Sequence, residues 1–497
     1  MLSKFPHLRQ DFFASIVVFL VAVPLCVGVA VASGVPAELG LVTGIIGGLI
    51  TGLMPGSSLQ VSGPAAGLTV IVFEAVSEFG VATLGVIVLI AGLLQLAMGF
   101  LKIGRWFRAI SVAVVEGMLC GIGLVIIAGQ IYAAAGRKAP ETGIGKIASL
   151  PRAFADALGN RETLASLVVG AATVAVIVLW KKLPKKVQAV PGALAAVVLA
   201  TLATLAFNLP VATVQVEGLL GVIQPPGSDA FGELAAPAIW GTIIAFTLIG
   251  SAESLFSAAA VDRLHDGPRT QYNKEMIAQG TGNTVCGLLG ALPMTAVIVR
   301  SSANVNAGAK TKASRVLHGV WLLLFAAALP SVLALIPIPA LAGILVHAGW
   351  KLIPFRQIAE LWHSHKGEAL ILIVTAVAIV AVNMFEGVLI GLALSVVKTA
   401  WEASHLKTEI IDKGAGPIQV YLSGNATFLR LPKIFDGLEA LPQDRPVELD
   451  LSGLHHLDHA CRTALEDWAE RHSTNGTEPV RVTEPLKRAA QETTSNT

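Results

Sequence analysis

Long apolar runs separated by short polar segments fill residues 11–403 of the chain. A helix crosses a bilayer with about 20 apolar residues, and a shorter or broken one is tolerated where protein surrounds it. On that measure spans are expected near 11–32, 37–53, 64–77, 80–101, 109–133, 163–181 and 189–207. A second set is expected near 236–261, 273–292, 298–308, 312–330, 332–349, 367–383 and 385–402. The third member of each set is short. Seven spans per set is an odd number, so the two sets have opposite topology, as inverted repeats do. The expected fold is a polytopic α-helical membrane protein of 14 transmembrane segments in two inverted 7-segment repeats, about 11–207 and 236–402, after a cytoplasmic N-terminus of residues 1–10.

Two further stretches break the apolar pattern. Residues 350–362 (WKLIPFRQIAELW) are too polar to span and suit an amphipathic helix on the cytoplasmic face. After Trp401 the pattern becomes that of a soluble chain: 417–422 alternates as a strand, VELDL at 447–451 reads as a buried strand, and helices are expected at 460–472 and 484–491. Residues 414–497 are therefore expected to form a small cytoplasmic α/β domain.

The two short segments correspond to each other. Pro293–Gly308 reads as an extended piece over Thr295–Val299 and then a half-helix beginning near Arg300. The residues before it, QGTGNTVCGLLGALP at 279–293, match LVTGIIGGLITGLMP at 41–55 with a constant offset of 238: Thr43 with Thr281, Gly44 with Gly282, Gly52 with Gly290, Pro55 with Pro293. The first copy continues into an extended Ser57–Ser62 and a small-residue start, Pro64-Ala65-Ala66-Gly67. Paired broken segments in the two halves of a membrane protein point to a transport site. The N-terminus of each half-helix offers free N–H groups and a partial positive charge to an anion.

Composition supports the membrane reading: 54% of residues are hydrophobic and 14% charged, against about 25% charged in soluble proteins. The net charge of +2 says little, but its distribution orients the chain. With the N-terminus cytoplasmic, the inner segments collect Lys4, Arg9, Lys102, Arg105, Arg108, Lys181, Lys182, Lys185, Lys186, Arg263, Arg269, Lys274, Lys310, Lys312, Arg315, Lys351, Arg356 and Lys366. The outer loops hold Arg137, Lys138, Lys146, Arg152 and Arg161, all in one loop. This is the positive-inside pattern of a multi-pass cell (inner) membrane protein with both termini in the cytoplasm. No cleavable signal peptide is evident, and the four cysteines have neither metal nor disulfide spacing. No nucleotide loop, zinc motif or nucleophile elbow occurs, so an enzyme, a cofactor, a bound metal and a nucleic-acid partner are not expected.

The residues that could carry chemistry are few. Glu253 lies inside the eighth span, and Ser257 shares its helical face one turn on. A carboxylate at that depth is a functional candidate by default, here a site for a coupling ion, H+ or Na+. Its plainer role is to pair with Arg300 and hold the bundle. Arg300 in turn either adds positive field to an anion site or points away to neutralise a carboxylate. The candidate substrate-binding set is Ala65, Ala66 and Gly67 from the first half-helix start and Val299, Arg300, Ser301 and Ser302 from the second. Small residues at these places also suit ordinary close helix packing. Glu74 and Glu116 are further carboxylates within spans, either proton sites or structural acceptors. The charged run 262–273 reads as a hydrogen-bonded loop, and Asp458-His459-Ala460-Cys461 as a structural neighbourhood.

Several stretches together resemble the sulfate permease-type (SulP) anion transporters: VSGPAAGLTVIV at 61–72, GSAESLFSAAAVD at 250–262, YNKEMIAQGTGN at 272–283 and LPMTAVIVRSSANVNAGAKTKAS at 292–314. The tail VELDLSGLHHLDHACRTAL at 447–465 resembles the STAS domain of that family, in a short form. The resemblance implies a mobile core (segments 1–4 and 8–11) moving against a gate (5–7 and 12–14), an anion held between the third and tenth half-helices, and a homodimer in the lipid bilayer. Three positions depart from the family's patterns. Pro24 is followed by Leu25, where proton-coupled members can carry a carboxylate. Ile298 stands where sodium-coupled bicarbonate members tend to have a hydroxyl. His459 follows Asp458, where related phospho-switch domains carry a serine.

The function expected is secondary active transport of a small anion (bicarbonate, sulfate or a dicarboxylate) by an elevator-like movement, coupled to a cation with H+ placed ahead of Na+. Rival readings are an uncoupled anion exchanger or channel, a nucleobase-type permease of the related fold and, last, a membrane sensor working through the STAS tail.

Overall fold

The structure, a computed structural model, describes residues 7–105, 111–137, 139–140, 142–184, 187–216, 218–219, 221–414, 416–473 and 479–483. The expected helix at 484–491 lies outside these residues, as do Lys4, Arg108, Lys138, Lys185 and Lys186. The described chain divides into two units, Met1–Leu392 and Ala393–Thr497.

The first unit is helical. Its first half runs α1 (Leu8–Ala32), α2 (Ala37–Ile46, extended by a π turn Gly47–Thr51), strand β1 (Ser62–Pro64), a 3-10 turn Ala66–Leu68, α3 (Thr69–Phe100), α4 (Val112–Ala134), two short helices α5 (Gly143–Ala148) and α6 (Leu150–Leu158), then α7 (Arg161–Trp180) and α8 (Gly192–Ala206). A short α9 (Ser228–Gly232) leads into the second half. There follow α10 (Pro237–Val261), α11 (Tyr272–Leu288), strand β2 (Met294–Ala296), α12 (Ile298–Asn306), α13 (Ala313–Ala328), α14 (Pro330–Ala334), α15 (Ile338–Leu352), α16 (Phe355–Ser364), α17 (Lys366–Ala381) and α18 (Met384–Ala403), in which the unit ends. Seven helices among the described residues are long and apolar enough to cross a bilayer, and three shorter apolar ones accompany them.

The expected spans map onto these helices, with two departures from one span per helix. The third and fourth spans are the two parts of α3, separated at Gly80, whose φ of 81° and ψ of 166° lie outside the helical region. Glycine takes that conformation without a Cβ clash. The twelfth span differs from expectation: α14 and α15 divide what was read as 332–349, at a point where Pro337 and Pro339 interrupt the helical hydrogen bonding. The amphipathic helix is also shorter than expected. Trp350–Leu352 finish α15, and Pro354 delays the surface helix to Phe355–Ser364, which buries none of its residues. The helices α5 and α6, between α4 and α7, and α9, between α8 and α10, were not anticipated.

Two bundles are distinguishable within the unit by what packs on what. α3 lies along α11, and α1 along α2 and α13, whereas α4 packs on α15 and α17, and α7 on α15 and α8. At the first of these contacts Gly92 of α3 faces the backbone of Asn283 and Thr284 in α11, so the helices approach closely there.

The second unit is a four-stranded sheet in the order β3 (Leu406–Ile411), β4 (Ile418–Ala426), β5 (Val447–Leu457), β6 (Arg481–Thr483), with α19 (Leu431–Glu439) and α20 (His459–Ser473). β3 runs antiparallel to β4, while β4–β5 and β5–β6 are parallel. Alternate residues of β4 and β5 (Val420, Leu422, Leu449, Leu451) pack on Ile434 and Leu438 of α19 and on Leu465 and Trp468 of α20. Both expected strands run past their predicted C-terminal ends. β3, α19 and β6 carry too few consecutive apolar residues to have been seen in the pattern.

Candidate functional site

The two broken segments meet. β1 and β2 pair antiparallel, Ser62 opposite Ala296, Gly63 opposite Thr295 and Pro64 opposite Met294, and all six residues are buried. Each strand leads directly into a helix start, so the pairing fixes the two starts beside one another. On the first side Ala65 is extended (φ −109°, ψ 136°) and the 3-10 turn begins at Ala66. The Leu68 amide donates to the Ala65 carbonyl at 3.1 Å. The amides of Ala66 and Gly67 therefore have no carbonyl one turn back to bond. On the second side α12 begins at Ile298, two residues earlier than expected. The Ser301 amide donates to the Val297 carbonyl at 3.0 Å. The helix start thus leaves the amides of Ile298, Val299 and Arg300 free of intrahelical partners.

The candidate substrate-binding residues separate into two groups. Ala65 and Gly67 are buried and Ala66 is half-buried, while Val299, like Ile298, is 43% exposed and borders open space. Arg300, Ser301 and Ser302 bind the protein itself. The Arg300 side chain is completely buried, and its Nη2 donates to the Pro64 carbonyl at 3.3 Å, with Nε and Nη1 unpartnered among the described residues. The Ser301 hydroxyl donates to the Val297 carbonyl at 2.8 Å and accepts the Val61 amide at 2.9 Å. The Ser302 hydroxyl donates to the Val299 carbonyl at 3.0 Å. Arg300 therefore lies behind the strand crossing, where a Cβ on Gly63 would overlap its guanidinium.

Glu253 of α10 reaches the first helix start. A Cβ on Gly67 would lie 2.5 Å from its Oε1 and 2.7 Å from its Oε2. The Thr295 side chain of β2 approaches the same carboxyl group, and Oε2 has no partner among the described residues. Arg300 and Glu253 form no ion pair among the described residues, so the plain bundle-holding pair is not what the structure shows. Ser257 is buried one turn further along α10, while Ser254 accepts the Ala296 amide at 3.3 Å and ties that helix to β2.

A polar network that the sequence pattern did not single out holds the first crossing in place. Buried Glu275 of α11 accepts the Ser57 amide at 2.7 Å, Gln60 Nε2 at 2.9 Å and Gln279 Nε2 at 2.7 Å. Gln279 also donates to the Ser62 hydroxyl at 2.7 Å, and Asn304 of α12 donates to the Leu59 carbonyl at 2.9 Å. Asn283 holds the start of β2, accepting the Met294 amide at 2.7 Å. The available signal was the spacing of Glu275 and Gln279, four residues apart on one helical face, within a stretch assigned to a span. Outside the site, the loop 262–273 is hydrogen-bonded as expected: Asp262 accepts the Thr270 hydroxyl at 2.8 Å, and Arg269 donates to the Asp262 carbonyl.

In the tail, Asp458 caps α20 by accepting the Cys461 amide at 2.7 Å and accepts the Phe428 amide at 2.7 Å as well. Burial would raise its pKa, but these amides prevail and hold it below the usual carboxylate range. Burial and the adjacent Asp458 push the Cys461 thiol up to about 12, so it is no nucleophile near neutral pH.

Two crossed strands that aim helix starts at one place, inside a bundle of inverted repeats, are a membrane transporter's arrangement. Residues 8–375 match the sulfate permease family. The chain belongs to that family. The sulfate permease family is one of membrane transporters, not enzymes. Among relatives, the putative sulfate transporter YvdB of Bacillus subtilis is 27% identical over 93% of this chain and 88% of its own length. The bicarbonate transporter BicA of Synechocystis is 26% identical over 95% of this chain and 87% of its own. The solved transmembrane domain of a cyanobacterial BicA superposes with a TM-score of 0.68 at 24% identity, covering 79% of this chain and 98% of that one. The overall structure of SLC26A9 gives 0.78 at 15% identity, covering 97% and 85%. The second of these likenesses covers both units of the chain.

Proposed function

We propose that the chain is a secondary active transporter of a small anion, bicarbonate, sulfate or a dicarboxylate, bound between the helix starts at Ala65–Gly67 and Ile298–Arg300. The observation that carries this reading is the β1–β2 pairing, which sets two groups of unpartnered backbone amides side by side. Free amides at helix starts favour an oxyanion without selecting strongly among oxyanions. The names of relatives, sulfate and bicarbonate transporters, agree with that class.

Coupling is assigned to Glu253, with Ser257 beside it. An ionised carboxylate against Gly67 opposes an anion at the same helix start, and a cation taken up by Glu253 removes that opposition. Anion and cation then bind cooperatively, which is the thermodynamic requirement of symport. H+ is placed ahead of Na+ because Ile298 brings no hydroxyl to a sodium site. Movement is elevator-like: the α1–α3 and α10–α13 bundle carries the site past α4, α7, α8, α15, α17 and α18. The protein works as a homodimer in the cell membrane, with both termini in the cytoplasm, and the tail is a short STAS domain.

The test is uptake of labelled bicarbonate, sulfate and fumarate into proteoliposomes under separate H+ and Na+ gradients. One anion accumulates under the H+ gradient, and Glu253→Gln abolishes accumulation while leaving counterflow exchange. Unchanged accumulation in that variant refutes the coupling assignment. Exchange without accumulation in the wild type makes the protein an uncoupled exchanger.

A further inference from the structure

A cavity of about 180 Å³ lies on the far side of the first helix start, between α1, α3, α4 and α5. α3 leads from the amides of Ala66 and Gly67 to Thr69, whose buried hydroxyl has no partner among the described residues, and then to Phe73 one turn on. Both line the cavity, as do Gln130 of α4, Arg137 and Lys146. Lys146 comes from the loop helix α5 and is only 6% exposed. Its Nζ stands 5.2 Å from the centre of the Phe73 ring. The Tyr132 hydroxyl donates to the Lys146 carbonyl at 2.8 Å and anchors the backbone that presents the ammonium.

The charges here are only partly matched within the protein, since the Glu74 carboxylate acts on Lys146 without forming an ion pair with it among the described residues. Arg137 is paired with Asp156 at 2.8 Å, but Lys146 has no ion pair among the described residues. Burial pulls its pKa down, while the Glu74 carboxylate acts in the opposite direction. A buried ammonium, an unpartnered hydroxyl and the amide of Gln130 around one cavity form a set of donors for an oxyanion. A structural ammonium at this depth would instead be expected in contact with a carboxylate.

We propose that this cavity is a second anion-binding site, occupied on the way between the outer face and the helix starts, with Lys146 as its charge and Thr69 and Gln130 as its hydrogen-bond donors. It rests on the transport reading above. Because it lies on one side of the central site only, it acts on affinity from that side only.

The experiment uses the full chain in proteoliposomes sorted by orientation, with whichever of labelled bicarbonate or sulfate the wild type moves. Lys146→Met raises KM for the anion presented at the Lys146 face about fivefold, leaves KM at the opposite face and the maximal rate unchanged, and Lys146→Arg restores most of the loss. Lys146→Cys, in a background with the four native cysteines replaced, provides a second route, since position 146 lines the cavity. Modification of the folded variant with an aminoethyl thiosulfonate recovers affinity, and a sulfonatoethyl reagent lowers it further. Equal KM shifts at both faces, or the same response to both reagents, make Lys146 structural and overturn the second site. An unchanged KM at the Lys146 face also overturns it while leaving the transport reading intact. A wild type that moves no anion fails the transport reading itself, and the second site with it.

Discussion

The two broken segments occupy equivalent places in the two repeats, yet they are built differently. The first, Ser62 to Leu68, carries no charge and consists mainly of small residues, so it supplies room. The second, Met294 to Asn306, carries Arg300, Ser301 and Asn304, all buried, and each bonds to the first or to the residues leading into it: to Pro64, Val61 and Leu59 respectively. The upstream matches show the same divergence. Thr43 crosses to the Leu292 carbonyl at 3.0 Å, whereas Thr281 bonds one turn back within its own helix, to Ile277. Gly52 is right-handed helical while Gly290 has φ +66°. Inverted symmetry is therefore kept in the order of elements and relinquished in the contacts. One repeat clamps, and the other is clamped and leaves space at the helix start.

The strongest way to break this division is to fill the space the clamp uses. Gly63→Val places a side chain against the Arg300 guanidinium, which is wholly enclosed and cannot withdraw to solvent. Overpacking at such a site costs about 1–3 kcal/mol or more, and here it also displaces a buried charge. The variant is expected to yield no monodisperse protein by size exclusion in detergent. Thr295→Val, on the opposing strand, is expected to fold and to lose gradient coupling. Normal yield of Gly63→Val shows that Arg300 is not fixed behind the crossing.

A smaller effect is expected where the space faces the proposed anion. Gly67→Ala sets a methyl group against the Glu253 carboxylate. Anion affinity falls about tenfold, equivalent to about 1.4 kcal/mol, measured as KM for uptake. Val299→Ala, at the open end of the other helix start, changes KM less than about twofold. If the two variants reverse in rank, the second segment rather than the first shapes the site.

The fold was largely legible because bilayer spans leave a strong signal: apart from the twelfth, which divides between α14 and α15, the expected spans find helices, and the breaks at Pro55–Gly67 and Pro293–Gly308 were read as breaks. What the pattern could not carry was direction. Arg300 was visible as a lone charge, but periodicity cannot say whether a side chain at a helix start points at the ligand or back over its own strand. Ile298 looks like packing in a sequence, and its contribution to the proposed site is a backbone amide that any residue but proline would provide. Glu275 was hidden for the opposite reason. It sits near the charged end of a span, where a carboxylate is ordinary, and two of its three acceptor bonds come from a segment over 200 positions away. In the tail, the long strands β4 and β5 announced themselves, while three-residue β6 has no pattern to read.

The subtlest comparison is between adjacent serines. Ser301→Ala leaves the buried Val61 amide without its acceptor, and an unsatisfied buried amide costs about 1–3 kcal/mol. Ser302→Ala removes a hydroxyl that bonds only the Val299 carbonyl in its own helix, and a change of that kind stays within about 0.5 kcal/mol. Thermal unfolding in detergent should thus lower the melting temperature of the first variant clearly and leave the second within error, with transport KM following the same order. A loss of affinity in Ser302→Ala without loss of stability would show that its hydroxyl turns to the anion during transport, and would move one side-chain contact from the clamp to the site.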